Sequence, residues 1–259
     1  GIGLSLRDTK LLTSVLLKKG FKQKELIDSG LIGNGEKLYD IYYNRIMFPL
    51  HDLTGKVVGY SGRIFDMEDT SKYINTKETP IFKKREILYN YHKAKDEARR
   101  EGKIIITEGF VDVIACYKIG LKNVIATMGT AVTSNQATLI KRMAKEVILV
   151  FDGDEAGARA TFSCSEELLK IGVIPKIVRL EEKLDPDDYI KKYGKNFIDK
   201  INNPINIMDF KLNYLKNNKN LKDNVDYSKY IEEVLNEVNK TDDIILKELT
   251  LQKLAKESN

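Results

Sequence analysis

Between residues 103 and 180 the chain repeats one pattern, and that pattern limits the possible folds more than any other feature. Short apolar runs, Ile104-Ile105-Ile106-Thr107, Val124-Ile125-Ala126, 147–151 and 176–180, read as strands. Stretches with helical spacing, 111–119, 134–144 and 155–171, separate them, with Ser134 as the expected cap of the second. Strands that alternate with helices through short turns form a mainly parallel sheet flanked by helices. Parallel strands share one C-terminal edge. Residues that directly follow the strands therefore meet in space although they are far apart in sequence.

Those residues are acidic. Glu108 follows the first run, Asp152-Gly153-Asp154 the third, and Asp185-Pro186-Asp187-Asp188 the last. Each carboxylate alone could cap a helix N-terminus, and Asp112, inside a helix, could be a solvated residue. Three clusters at one edge repel one another and need a cation. Oxygen donors on tight turns suit Mg²⁺ or Mn²⁺, which leave room for water and phosphate. Zinc within this chain is excluded: Cys116 and Cys164 stand alone on apolar helix faces as buried structural thiols. His51 and His92 form no cluster with them and read as surface residues without a role.

The remaining sequence divides into three expected domains, 1–100, 101–195 and 196–259. Residues 1–40 read as short amphipathic helices stopped at Gly20 and Gly30, and 45–63 as a hairpin turning at Gly55. A polar loop over 66–85 and a helix over 86–101 lead into the α/β unit. After Gly194 the pattern is helical, including 205–215 and 227–238. Charge is uneven: residues 1–100 carry 19 basic and 13 acidic side chains, whereas 101–190 carry 11 and 14. A basic lobe beside an acidic one suits a polyanion held against a metal centre, although solvated lysine-rich faces explain the charge alone equally well. There is no apolar run of membrane-spanning length. The opening Gly1-Ile2-Gly3-Leu4 has no initiator Met, which suggests a piece of a longer protein.

These motifs, in this order, carry a resemblance. Thr107-Glu108-Gly109 with Asp112, then Asp152-Gly153-Asp154-Glu155-Ala156-Gly157, then Asp185-Pro186-Asp187 resembles the toprim domain. Arg45-Ile46-Met47-Phe48-Pro49-Leu50, Gly59-Tyr60-Ser61-Gly62-Arg63, Lys72-Tyr73-Ile74-Asn75, Glu78-Thr79, Phe82-Lys83-Lys84, Leu88-Tyr89 and Met128-Gly129-Thr130 narrow it further. Over residues 40–190 the chain resembles the bacterial replicative (DnaG-type) primases. Positions 71 and 77 depart from that pattern with Ser and Lys where Pro is frequent, and Arg85 replaces a common Gly. The resemblance implies an α/β fold with a central toprim domain, preceded by a mixed α+β basic lobe and followed by a helical subdomain.

It also implies an RNA polymerase domain that copies single-stranded DNA into short primers in the bacterial cytoplasm, at the replication fork. By that likeness Glu108, Asp152 and Asp154 are catalytic and hold two or more divalent ions, Mg²⁺ or Mn²⁺, with Asp112, Asp185 and Asp187 as further ligands. Arg45, Arg63, Lys72, Tyr73, Asn75 and Lys84 serve nucleotide and template. Tyr73 could stack on a base or lie in the core, and cations such as Arg63 and Lys84 suit phosphate. The implied partners are single-stranded DNA, NTPs and RNA–DNA hybrid, with no membrane. Replicative helicase and single-strand-binding protein are expected to be met through segments outside this chain. A toprim nuclease or topoisomerase would use similar carboxylates, but the motifs over 45–89 argue against both. A haloacid-dehalogenase-type phosphatase opens on its Asp-x-Asp pair and is discounted. A non-catalytic nucleic-acid-binding fragment remains the competing class.

Overall fold

The computed structural model describes residues 1–66, 71–129, 131–181, 183–217 and 219–258. Thr130 of the expected Met128-Gly129-Thr130 turn and part of the expected polar loop lie outside them. The chain divides into two compact units, Gly1–Lys93 and Ala94–Asn259.

In the first unit, β1 (Gly3–Ser5), α1 (Leu11–Lys18), α2 (Gln23–Asp28), β2 (Ile32–Asn34) and β3 (Leu38–Asp40) precede the hairpin of β4 (Arg45–His51) and β5 (Val57–Ile64). Next come β6 (Tyr73–Asn75) and α3 (Tyr91–Glu101), within which the division between units falls. Strands β1-β4-β5-β6 form an antiparallel sheet, and β2 pairs with β3. Asp52 closes the hairpin because its Oδ1 accepts the backbone N–H of Thr54 at 2.8 Å and of Lys56 at 2.9 Å. Helix α1 has no side-chain cap from its own preceding residue. Instead the buried carboxylate of Asp40 accepts the N–H groups of Leu12 and Thr13, at 2.7 and 2.8 Å. The cap thus arrives from the end of β3, which ties helix to hairpin. The expected loop over 66–85 holds the short strand β6, whose three residues pair with β5.

The second unit contains the expected alternation: β7 (Lys103–Thr107), α4 (Phe110–Lys118), β8 (Val124–Ala126), α5 (Ser134–Met143), β9 (Glu146–Leu149), α6 (Glu155–Leu169) and β10 (Lys176–Ile177). After these come α7 (Pro186–Tyr193), α8 (Asn196–Asn202), β11 (Ile205–Asn206), α9 (Ile207–Lys216), α10 (Asn224–Lys240) and α11 (Ile244–Ser258). Strand order is β11-β10-β9-β7-β8, parallel except for β11. Ile104, Ile105, Ile106, Val147, Ile148 and Leu149 are buried on both faces of the central strands, as an apolar run between helix layers requires.

Two expectations change here. The cap of α5 is Thr133, whose hydroxyl accepts the Gln136 N–H at 3.2 Å while Gln136 Oε1 accepts the Thr133 N–H at 3.0 Å; Ser134 is already inside the helix. Residues 205–206 form an edge strand antiparallel to β10 before α9 begins, so the tail joins the sheet as well as following it. A buried ion network holds the tail further. Lys211, 1% exposed, donates to Glu166 of α6 and Glu237 of α10, both at 2.5 Å, and Lys240 reaches the same two carboxylates. Both thiols are buried and free, as expected.

Candidate metal centre

The shared C-terminal edge of the parallel sheet brings the acidic clusters together. Glu108, immediately after β7, accepts the Asp152 backbone N–H on its Oε1 at 3.1 Å, so the turn after β9 is fastened to the end of its neighbouring strand. The sharp path of Asp152-Gly153-Asp154 depends on its glycines. The Gly153 N–H donates to the Leu184 carbonyl at 2.9 Å, and a Cβ there would stand 2.2 Å from the Glu181 carbonyl oxygen. At Gly157, in the first turn of α6, a Cβ would stand 2.1 Å from the Asp152 carbonyl oxygen. Backbone of the 180–181 segment and of the turn itself occupies the space that side chains would need.

Asp154 is the N-cap of α6, its Oδ1 accepting the Gly157 N–H at 2.7 Å, and Asp185 caps α7 through the Asp188 N–H at 2.6 Å. The capping reading of these carboxylates is therefore correct for one oxygen of each, while the second oxygen is not used by the cap. Asp112 is not solvated. It is 5% exposed at the first turn of α4, where its Oδ2 accepts the Gly109 N–H at 2.8 Å. Burial pushes its pKa up to about 7, with the charges of Asp185 and Asp152 adding to the effect against the N–H groups of Gly109 and Asp187. One carboxyl thus feels the second and third acidic clusters at once. Burial also raises Glu108, and the Asp154 charge adds to that, against the Asp152 N–H.

Three carboxylates, Asp185, Asp187 and Asp188, offer ligand oxygens within 4.8 Å of one another; among the described residues this is the one trio so closely drawn. Asp188 was not among the expected ligands, although the run of carboxylates around Pro186 was its signal. Lys191, one turn on, pairs with Asp187 at 2.5 Å and with Asp188 at 3.3 Å. The donor set fits a hard divalent cation: it is all carboxylate, it includes two groups that burial disfavours as anions, and it contains no imidazole or thiolate. Beside Glu108, a cavity of about 270 Å³ is lined by Thr127, Gly129, Val132, Phe151 and Arg159 among others.

The expected nucleotide and template residues all belong to the first unit, where they divide by exposure. Arg63 and Tyr73 are directly opposed on β5 and β6, with the guanidinium carbon 5.9 Å from the ring centroid; both are half-buried. Tyr73 therefore lies at the sheet surface under a cation, not in the core. Asn75 pairs opposite Ser61 on the same sheet face, and Lys72 is exposed. Lys84 is half-buried, and burial lowers its pKa. Arg45 is different: at 2% exposure it donates to the carbonyls of Gly62 and Ser71, at 3.3 and 3.1 Å. It braces β5, which carries Arg63, against the segment that leads into β6. His51 and His92 are half-buried against each other, ring centroids 4.4 Å apart, and are not surface residues as expected.

Comparison with known proteins matches three segments of the chain. Residues 1–95 match the family model of the DNA primase catalytic core, N-terminal domain; residues 105–190 match the toprim-like model; residues 208–259 match the DnaB-helicase binding domain of primase. The chain is 38% identical over 261 residues to the DNA primase of Halalkalibacterium halodurans and 37% identical over 257 residues to that of Clostridium acetobutylicum. These alignments take in 99% and 98% of the chain but 43% of each relative, so the chain spans less than half the length of the curated relatives it matches. Among solved structures, the RNA polymerase domain of Mycobacterium tuberculosis primase DnaG superposes with a TM-score of 0.86 at 26% identity, covering 98% of this chain and 84% of that one. The DnaG primase catalytic domain bound to ssDNA superposes at 0.83 and 28% identity, covering 98% and 81%. The third match bears on one expectation. The region similar to a helicase-binding domain falls on α9–α11, inside the chain, and not in segments outside it as the resemblance implies.

Proposed function

From a chain that belongs to the bacterial DnaG-type primase family, as its RNA polymerase region, we propose synthesis of short RNA primers on single-stranded DNA. The observation that carries this reading is a linked set of carboxylates at one sheet edge: Glu108 tied to Asp152 and near Asp154, and buried Asp112 near Asp152 and the Asp185 cluster. The ions they would hold are Mg²⁺ or Mn²⁺, two or more, with Glu108, Asp152 and Asp154 as the catalytic carboxylates and Asp112, Asp185, Asp187 and Asp188 around them. When bound, such ions neutralise charge on the attacking and leaving oxygens of phosphoryl transfer.

The chain's own groups do the rest. Glu108 and the Gly153 turn hold the carboxylates in place before any ligand arrives, so little reorganisation is needed on binding. Arg63 and Lys72 offer cations to triphosphate or template phosphate, and Tyr73 offers a ring face beside Arg63 on which a base can stack. Lys84, partly desolvated, gives a charge less screened than an exposed lysine's. NTPs and the RNA–DNA hybrid are the ligands of this reading. Helicase is met through α9–α11, single-strand-binding protein is a further partner, and the setting is the bacterial cytoplasm at the replication fork.

The test incubates the chain with single-stranded template, labelled NTPs and Mn²⁺. Labelled oligoribonucleotides that vanish in Asp152→Ala are expected. Nicking of the template without synthesis would point to a toprim nuclease, and DNA binding without either activity to a non-catalytic module.

A further inference from the structure

The same parallel sheet has an opposite edge, and its charge is reversed. The segments there, residues 99–102, 141–145 and 172–174, line a groove of about 830 Å³ whose side chains include Arg99, Lys141, Arg142 and Lys145 and no carboxylate. Two other cations of this rim are neutralised: Lys176 pairs with Glu146 at 2.8 Å and Lys170 with Glu167 at 2.5 Å. Arg142 and Lys145 are exposed and have no carboxylate within ion-pair distance among the described residues. Arg99 meets Asp96 at 3.6 Å with both side chains largely in solvent, a contact that screening reduces to little. Lys141 donates to the Ile171 carbonyl at 2.5 Å, which fixes the side chain and leaves its charge uncompensated. Helix C-termini attract cations, which accounts for Arg99, Lys141 and Arg142 one at a time. It does not account for Lys145, beyond the end of α5, or for four cations meeting at one groove.

We propose that this groove is a second nucleic-acid contact, which takes the phosphate backbone of single-stranded DNA away from the reaction centre. Choosing DNA as the ligand rests on the primer-synthesis reading. No aromatic ring lines the groove, so it binds backbone charge and reads no base. The five residues of β7 set the two sheet edges about 17 Å apart at ~3.3 Å per residue. A strand held here is therefore not the segment being copied, and the groove acts as a tether for a flanking part of the template.

Fluorescence anisotropy on labelled oligo(dT), long and short, across a salt series tests this with the full chain. Arg142→Glu/Lys145→Glu is compared with Lys222→Glu/Lys229→Glu, which makes the same charge change at two exposed lysines elsewhere in the second unit. On the long oligonucleotide the groove variant is expected to lower the slope of log affinity against log salt by about 1.4, two phosphate contacts at ~0.7 each. The control variant should keep the wild-type slope. An unchanged slope in the groove variant, or an equal drop in the control, overturns the tether. Primer synthesis by the wild type separates the two readings. Primers with an unchanged slope sink the groove alone, whereas no primers with a lowered slope sink the catalytic reading and leave the groove standing.

Discussion

Asp112 holds its proton to about pH 7 because its carboxyl is buried beside the charges of Asp185 and Asp152. An unfolded chain releases that proton near the ordinary value of 3.8. Between those two values the folded state binds the extra proton, so stability falls as pH rises through this window and levels off above it. The loss attributable to this group is at most ~1.4 kcal/mol per pH unit. In metal-free buffer, Asp112→Asn should remove that part of the slope of urea midpoint against pH; parallel wild-type and variant curves between pH 4 and 7 would refute the assignment. At this scale the sequence was informative about which residues carry charge and less so about their surroundings. For Asp112 the solvated and metal-holding readings stay equally good in sequence, because a helix position alone does not reveal what packs on it. Arg45 looked like a ligand because a motif does not show which side of a strand faces the core.

Elements were more legible than their ends. Hydrophobic runs located β7, β8 and β9, since strands buried on both faces need continuous apolar residues. The cap of α5 differs by one residue because Ser is by type a slightly better cap than Thr; only the reciprocal bond with Gln136 selects Thr133. Thr133→Ala should cost about 1 kcal/mol in chemical denaturation, whereas Ser134→Ala should cost much less. Equal losses would mean that the capping box is not what anchors the helix. The strand β11 left no signal, because two residues paired on one edge are shorter than any periodicity can show.

For the molecule as a whole, the parallel edge follows from the alternating pattern, but the attachment of the helical tail does not. Lys211 lies in a sequence that reads as an ordinary amphipathic helix, and only tertiary structure encloses it between Glu166 and Glu237. Lys211→Met should destabilise the second unit by about 3 kcal/mol, the lower end for breaking a buried pair, because Lys240 still reaches both carboxylates. A thermal melt that separates α9–α11 from the sheet in that variant, or leaves both unchanged, distinguishes a tie from an ornament. The network joins the helix capped by Asp154 to the segment similar to a helicase-binding domain.

Cys116 of α4 and Cys164 of α6 are 0% and 2% exposed, and burial pushes both thiols up, Cys164 to about 12. Thiolate is the form that alkylating reagents attack, so the native protein carries two silent reporters. Their rate of modification counts how often the second unit opens around them, with no label introduced. Added divalent ion should slow that clock wherever it binds the closed edge more tightly than the open one.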